Sequence, residues 1–277
     1  MSLPSATPDT LTANQSTFIM ERPFVNNVED FITKFVHSTN GQLVSEYLNS
    51  TPDFENADYF FKSDNIIIEL KCLEKDLFSD EDFERNERLI DRWIEEKLIT
   101  KSDIIAIFLR KKQIPEKCLQ EMFKLARRTF QKVIEKANKQ LRETKTKAGN
   151  ADTKKVLMIC NDGNYLFPNA LLFSLVCDII STRKEIDIDC TVYFTVNQVS
   201  FIPNSDLDWG LWLPAYGENA NEHLHQFIND LGLKFNNFYN DTFGIENTEY
   251  RDFPDTEVGI NAISEMNYIP KDVIYKQ

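Results

Sequence analysis

The chain has 277 residues, of which 42% are apolar and 12% aromatic, so it can bury a substantial core. It contains only 8 glycines and no glycine-rich phosphate-binding motif, which argues against a nucleotide-cradling loop. Its 5 cysteines lack CxxC spacing, which argues against a zinc site or a disulfide framework and fits a reducing cytosol. No secretory signal and no run of about eighteen apolar residues occurs, so we expect a soluble, cytoplasmic protein without a membrane partner.

Charge is distributed unevenly along the chain, whose net charge is −13. Residues 1–109 carry 10 Lys and Arg against 21 Asp and Glu, and residues 148–277 carry 8 against 19, which is −11 in each segment. Residues 110–147 carry 13 basic and 4 acidic residues, a net charge of +9. A basic segment in an acidic background indicates either a binding surface for phosphates or a solvated helix face.

The first predicted element is a helix that follows a flexible tail. Residues 1–20 are rich in Pro, Ser and Thr and show no periodicity, which is typical of a tail. Asn26 or Asn27 can cap a helix that runs toward Leu48, with a possible break at residues 39–41. Glu46 lies beside the apolar stripe, near the last turn of this helix. The stripe has three–four spacing and begins with Val28, Phe31, Ile32 and Phe35.

A β-hairpin is predicted next, because two β-rich runs, Ala57 to Phe61 and Ile66 to Leu70, flank a polar turn. Side chains alternate along a strand, so Glu69 and Lys71 share one face of the sheet. With the turn centred between residues 63 and 64, Asp58 lies directly across from Glu69, and a shift of two keeps both on one face. Opposed carboxylates repel, and a divalent cation would offset the repulsion. The alternative is that these carboxylates end their strands and point into water.

Asp58, followed after the turn by Glu69-Leu70-Lys71, resembles the D…ExK signature of the PD-(D/E)xK nuclease superfamily, which has the restriction-endonuclease-like fold. The resemblance covers about residues 27–72. It implies that Asp58, Glu69 and the Leu70 carbonyl bind Mg²⁺ or Mn²⁺, and that Lys71 orients the attacking water. It also implies that Glu46, on the preceding helix, holds a second metal ion or its water shell. A Pro-Asp pair at residues 52–53 lies too early to supply the family's aspartate.

Helices dominate the middle of the chain. An acidic linker, residues 76–87, leads into an amphipathic helix that contains Trp93. Residues 104–109 are short and β-rich and favour a further strand, with a helical turn as the alternative. Pro115 suits the first turn of a long helix that ends near Lys147. Its basic positions are the predicted nucleic-acid-binding residues: Arg127, Arg128, Lys132, Lys136, Lys139 and Arg142.

The C-terminal half predicts a strand–helix–strand unit. Lys155 to Cys160 is a continuous apolar run, typical of a strand buried on both faces. A helix from Pro168 to about Ile180 then precedes a strand at residues 188–196, so the two strands should be parallel neighbours. Residues 161–164, Asn-Asp-Gly-Asn, favour a βα turn over a cation-binding loop. Beyond Phe201 the chain is rich in aromatic residues and Asn, which indicates an α+β extension.

Together these elements predict an α/β protein with a mixed central β-sheet flanked by helices. We expect a flexible tail at 1–20, a restriction-endonuclease-like core at 21–200 and a C-terminal extension packed on the core at 201–277. The predicted function is that of a metal-dependent nuclease that hydrolyses phosphodiester bonds of nucleic acid, with DNA as the substrate. The alternatives are a non-cleaving module that binds nucleic acid or protein, or a nuclease active only within a complex. The basic helix could also drive homo-oligomerisation.

Overall fold

A computed structural model describes residues 23–48, 53–73, 83–108, 111–163, 169–201, 208–245 and 266–268. The predicted tail lies outside these ranges, as does most of the acidic linker. The helices are α1 (Val28–Ser38), α2 (Val44–Leu48), α3 (Phe83–Glu95), α4 (Lys101–Phe108), α5 (Glu116–Ala148), α6 (Asn169–Thr182) and α7 (Glu222–Phe243). The strands are β1 (Gln42–Leu43), β2 (Tyr59–Phe61), β3 (Ile66–Leu73), β4 (Lys154–Asn161), β5 (Cys190–Phe194), β6 (Gln198–Phe201), β7 (Asp208–Trp209), β8 (Trp212–Tyr216) and β9 (Met266–Tyr268).

The central sheet is mixed and six-stranded, in the order β1-β2-β3-β4-β5-β8. The pairs β3–β4 and β4–β5 are parallel, as predicted for β4 and β5, whereas the outer pairs are antiparallel. The strands β7, β6 and β9 form a second, small antiparallel sheet. The mixed central sheet, together with the helices, confirms the predicted α/β class.

Among the described helices, none is long and apolar enough to cross a membrane.

Both faces of the central sheet are covered by helices. On one face, α1 and α7 pack over the sheet, and Phe31 of α1 meets four aromatic rings of α7. On the other face, α3, α5 and α6 pack over Ile67, Leu157 and Ile159. A strand with helices on both sides must be apolar on both sides, which explains the continuous apolar run of β4. The protein thus has three layers, with the sheet in the middle.

The first predicted helix is divided into α1 and α2. Asn27 caps α1, because its side chain accepts a hydrogen bond from the Asp30 N–H at 2.9 Å. The helix stops before Gly41, which lies against Val36 and Phe61: a Cβ added at this glycine would be 2.5 Å from the Val36 Cγ1 atom. This close approach allows the chain to turn into β1 before α2 begins. The break that the sequence left open is therefore present.

The prediction of a strand at residues 104–109 is wrong, because residues 101–108 form the helix α4. A reciprocal cap explains its start. The Thr100 N–H donates to the Asp103 carboxylate at 2.9 Å, and the Asp103 N–H donates to the Thr100 hydroxyl at 3.2 Å. This Thr-x-x-Asp arrangement is a capping box, a helix-start signal that outweighs the β propensity of the isoleucines that follow it.

Residues beyond 201 contribute to the same sheet and core as the residues before them. The strand β8 pairs antiparallel with β5 along its whole length, from Cys190 opposite Tyr216 to Phe194 opposite Trp212. The helix α7 buries Leu224, Ile228 and Leu231 against the α1 side of the sheet. The C-terminal segment therefore completes one edge and one layer of the central fold.

Candidate functional site

The β2–β3 hairpin has one of the two registers that the sequence left open. Tyr59 pairs with Ile68 and Phe61 with Ile66, so the turn is centred between residues 63 and 64. Asp58 immediately precedes β2, and continuing the same register outward places it across from Glu69. Along β3, Ile67 packs in the core beneath α5, whereas Ile68 packs in the opposite core. Glu69 and Lys71 alternate with Leu70 and therefore share one face, as predicted, and this face is the one that α5 covers.

Asp58 is held by backbone contacts on both sides. Its carboxylate oxygen Oδ2 accepts a hydrogen bond from the Leu70 N–H at 2.8 Å, and its carbonyl accepts one from the Val44 N–H at 2.9 Å. Burial raises the pKa of Asp58, while the Leu70 N–H and the positive charge of Lys71 oppose the rise. The N–H and C=O of one strand residue point toward the same neighbouring strand, so the Leu70 carbonyl also lies on the Asp58 side of β3.

Glu69 is a fully buried carboxylate. Its Oε1 atom accepts a hydrogen bond from the Lys71 ammonium, but its Oε2 atom is buried with no hydrogen-bond partner among the described residues. Burial and the neighbouring Asp58 charge raise the pKa of Glu69 to about 8, although Lys71 favours the ionised form. The pair Asp58–Glu69 therefore holds a proton near neutral pH unless a further positive charge replaces it.

Gln140 of α5 contacts both Lys71 and the segment that precedes Asp58. The Gln140 Oε1 atom accepts a hydrogen bond from the Lys71 Nζ at 3.1 Å, and its Nε2 atom donates to the Asn56 carbonyl at 2.9 Å. One turn further on, the Thr144 hydroxyl accepts the Ala57 N–H at 2.7 Å. Gln140 and Thr144 thus position both Lys71 and the segment that leads into Asp58.

Sequence reasoning missed Gln140 and Thr144. Neither carries a charge or belongs to the quoted signature. Thr144 lies 87 positions from Ala57 in the chain, and Gln140 lies 69 positions from Lys71 and 84 from Asn56. Their only signal in the sequence is that both are polar residues four positions apart, on the flank of a helix whose neighbouring face is apolar. Their role is visible only in the folded protein, because the packing of α5 on β3 brings both side chains against the hairpin.

Glu46 does not join the two carboxylates. Its Oε2 atom accepts the Leu43 N–H at 3.0 Å and lies 3.1 Å from His37 Nε2, on an exposed part of α2. Within the described ranges, no group of three or more His, Cys, Asp or Glu side chains is arranged to hold a metal ion. Of the predicted acidic ligands, the structure therefore brings together Asp58 and Glu69, and it places Glu46 at the start of α2.

The predicted nucleic-acid-binding residues fall into different environments on α5. Arg127 forms an ion pair with Asp178 of α6, and Lys139 forms one with Glu55 at 3.3 Å. Arg142 is exposed near the end of the helix. Arg128, Lys132 and Lys136 are also exposed, and none of the three pairs with a carboxylate among the described residues.

The polar segment after β4 belongs to a buried amide network. The Asn161 side chain donates to Asn169 at 2.8 Å, and Asn169 donates to Gln198 at 2.8 Å. The Asp162 carboxylate accepts the Asn197 side-chain amide at 2.6 Å. These contacts tie the end of β4 to the start of α6, as a βα turn requires, while residue 164 lies outside the described residues.

Comparison of the chain with protein families, curated proteins and solved structures found no match. The chemistry of the site therefore rests on its own geometry. Asp58, immediately before β2, and Glu69 of β3 share a face with a lysine whose ammonium group is fixed by Glu69 and Gln140. Such a set can bind a cation through oxygen, hold a proton, and direct an N–H donor toward a bound anion.

Proposed function

We propose that this protein is a metal-dependent nuclease with a restriction-endonuclease-like core, which hydrolyses phosphodiester bonds of nucleic acid, with DNA as the substrate. The proposal is carried by one observation: the buried Glu69 Oε2 atom has no hydrogen-bond partner among the described residues and belongs to a carboxylate that neighbours Asp58. Two buried carboxylates beside each other are costly unless a positive charge lies between them, and a bound cation would replace the proton that the raised pKa of Glu69 indicates.

The donor set suits Mg²⁺ or Mn²⁺. Magnesium binds oxygen, keeps several of its waters, and commonly takes only one or two protein carboxylates. Asp58 and Glu69 would supply these carboxylates, and the Leu70 carbonyl lies on the same side of β3. When bound, the ion would polarise a phosphoryl oxygen and lower the pKa of a coordinated water.

Lys71 is the group that acts on the reacting atoms. A lysine ammonium has three N–H donors, and Glu69 Oε1 and Gln140 Oε1 accept two of them. The third is available to a water or to a phosphoryl oxygen, and the Lys71 side chain keeps 21% of its surface exposed. A positive charge held at this position stabilises the negative charge that develops on the phosphate during attack.

Part of the order of elements also supports the proposal. The nuclease fold would show a helix, a hairpin, a third strand after the hairpin, a long helix, a buried strand and a helix. In this chain the third antiparallel strand is β1, which pairs with β2 ahead of the hairpin, rather than residues 104–109. The long helix α5 then returns the chain to β4, which runs parallel to β3 beside the site.

Cleavage assays with matched variants test the proposal. The purified protein is incubated with single- and double-stranded DNA and RNA, circular and linear, with Mg²⁺ or Mn²⁺. We expect metal-dependent cleavage that is lost in Asp58→Asn and in Lys71→Ala. The control is Asp53→Asn, which changes an exposed aspartate of the Pro-Asp pair outside the site. Full cleavage by Asp58→Asn, or no cleavage of any substrate with either metal, overturns the proposal.

A further inference from the structure

The helix α5 carries a cation at every fourth position on the approach to the candidate site. Lys124, Arg128, Lys132 and Lys136, here called the cation row, are all exposed, and the next position in the series is Gln140. Side chains four residues apart form a continuous ridge, inclined to the helix axis. Each step advances about 6 Å along the axis, so the row extends about 24 Å from Gln140. Gln140 binds Lys71, and the row therefore ends at the site.

The cations of the row are not neutralised within the described part of the chain. None of the four forms an ion pair there, whereas other cations of α5 do: Lys117 with Glu96, Arg127 with Asp178, and Lys139 with Glu55. This contrast separates the row from the three ion-paired cations of the same helix.

Nor do the acidic side chains of α5 neutralise the row. Glu121 is bound by Arg92 of α3, and Glu135 is bound by Arg183. Glu143 lies 3.8 Å from the Lys139 ammonium. Glu116, in the first turn, accepts a hydrogen bond from Gln120 at 3.1 Å. The positive charge of the row is therefore directed to solvent.

At its far end the row borders a groove between α3 and α5, with a volume of about 410 Å³. Arg88 and Arg92 of α3 line this groove together with Lys124 and Arg128 of the row, and Glu121 is the acidic residue among its lining groups. The groove therefore places Arg88 of α3 beside the far end of the row, whereas Arg92 is paired with Glu121.

We propose that the cation row binds the sugar–phosphate backbone of a single nucleic-acid strand, whose scissile phosphate lies at Asp58, Glu69 and Lys71 and whose continuation crosses α5 to the groove. The inference rests on the proposed nuclease function and names its substrate class. The four cations recur at a regular axial interval of about 6 Å, so one flexible strand can meet them in order.

The shape of the surface favours a single strand over a duplex. Each step of four residues turns about 40° around the helix axis, so the row winds about 120° around α5 from Lys124 to Lys136. A duplex is a stiff rod, so it would touch only part of a row that winds around the helix in this way. A single strand is flexible and can follow the row over its whole length. Backbone contacts of this kind carry no base specificity, so we expect binding with little sequence preference.

Binding to a labelled oligothymidine, long enough to span the row, tests the proposal. The complex is measured by fluorescence anisotropy in EDTA across a range of salt concentrations. The test variant combines Arg128→Gln, Lys132→Gln and Lys136→Gln. The control variant removes three ion-paired positive charges elsewhere on α5, by Lys117→Gln, Arg127→Gln and Lys139→Gln. Thermal unfolding of both variants verifies that they are folded.

The slope of the logarithm of the binding constant against the logarithm of the salt concentration is negative. We expect it to be shallower by about 2 in the test variant, at about 0.7 for each lost phosphate contact. That loss amounts to about a hundredfold weaker binding at 0.1 M salt. The control variant should bind nearly as well as the wild-type protein, and a duplex of the same length should compete poorly. Equal losses in both variants, unchanged binding by the test variant, or preference for the duplex each overturn the proposal.

The nuclease function and the cation row can fail separately. Binding is measured in EDTA, where no metal-dependent cleavage occurs, so the two measurements are independent. If cleavage is absent but binding depends on the row, the nuclease proposal alone fails. If cleavage is present but binding does not depend on the row, only the proposal that the row binds the strand fails.

Discussion

Gln140 Oε1 accepts a hydrogen bond from Lys71 Nζ at 3.1 Å, and this contact joins α5 to the central strand of the candidate site. The same side chain donates to the Asn56 carbonyl at 2.9 Å, two residues before Asp58. One amide therefore holds the lysine and the aspartate segment in a fixed relation. Positioning of this kind is what a catalytic lysine needs, because a small displacement of a reacting group is costly in rate.

We expect Gln140→Leu to lower kcat for cleavage by about tenfold to a hundredfold, with a smaller effect on KM. The substitution removes the acceptor that holds Lys71 and leaves the Asn56 carbonyl without its donor. Steady-state kinetics measure the effect. The control is Gln131→Leu, which removes a glutamine that bonds Glu135 on the same helix, and it should leave kcat unchanged. An unchanged kcat in Gln140→Leu would show that Lys71 does not depend on Gln140.

Metal binding should release a proton from Glu69. Because burial and Asp58 raise the pKa of Glu69 to about 8, this carboxyl is protonated in the metal-free protein below that pH. Calorimetric titration of Mn²⁺ in buffers of different ionisation enthalpy should give nearly one proton released per ion at about pH 6, and fewer above pH 8. Affinity should rise with pH over the same interval. Glu69→Gln should abolish binding, whereas Glu46→Gln should retain it, since Glu46 lies apart from the carboxylate pair.

The metal-free protein should become less stable as the pH rises. Glu69 has an ordinary pKa of 4.5 in the unfolded chain and about 8 in the folded chain, so the folded state holds more protons between these values. The free energy of unfolding should therefore fall with rising pH in that interval, by at most about 1.4 kcal/mol per pH unit from this group. Urea denaturation in EDTA measures the slope. Glu69→Gln should flatten it, and an equal slope in that variant would exclude Glu69 as its source.

Thr144→Val should destabilise the fold by about 1–3 kcal/mol, because it leaves the buried Ala57 N–H without an acceptor. The substitution should also lower cleavage, since Ala57 immediately precedes Asp58. The matched control is Thr146→Val, whose hydroxyl bonds the Arg142 carbonyl on the exposed side of α5, and its effect should be within about 0.5 kcal/mol. Chemical denaturation compares the two. If both variants have wild-type stability, the Thr144 hydroxyl is not needed to hold this segment.

Local rules predicted the hairpin well. A symmetric polar turn between two β-rich runs allows few registers, and each keeps Asp58 and Glu69 on one face. The observed pairing of Tyr59 with Ile68 is the one that places them directly across from each other. The same kind of rule failed at α4, where Ile104 and its neighbours favour a strand by composition. There the Thr100–Asp103 cap, a contact between residues three positions apart, decided for a helix.

The sequence by itself determined the alternation that puts Glu69 and Lys71 on one side of a strand, the continuous apolar run of β4, and the span of α5. Each of these follows from periodicity within a short stretch of chain. Only the tertiary structure decided that Gln140 meets Lys71, that Glu46 lies with His37 instead of with Asp58, and that the Glu69 Oε2 atom is buried without a described partner. Those facts depend on how α5 and α2 dock on the sheet, and the docking of one element on another is set by packing between residues far apart in the chain.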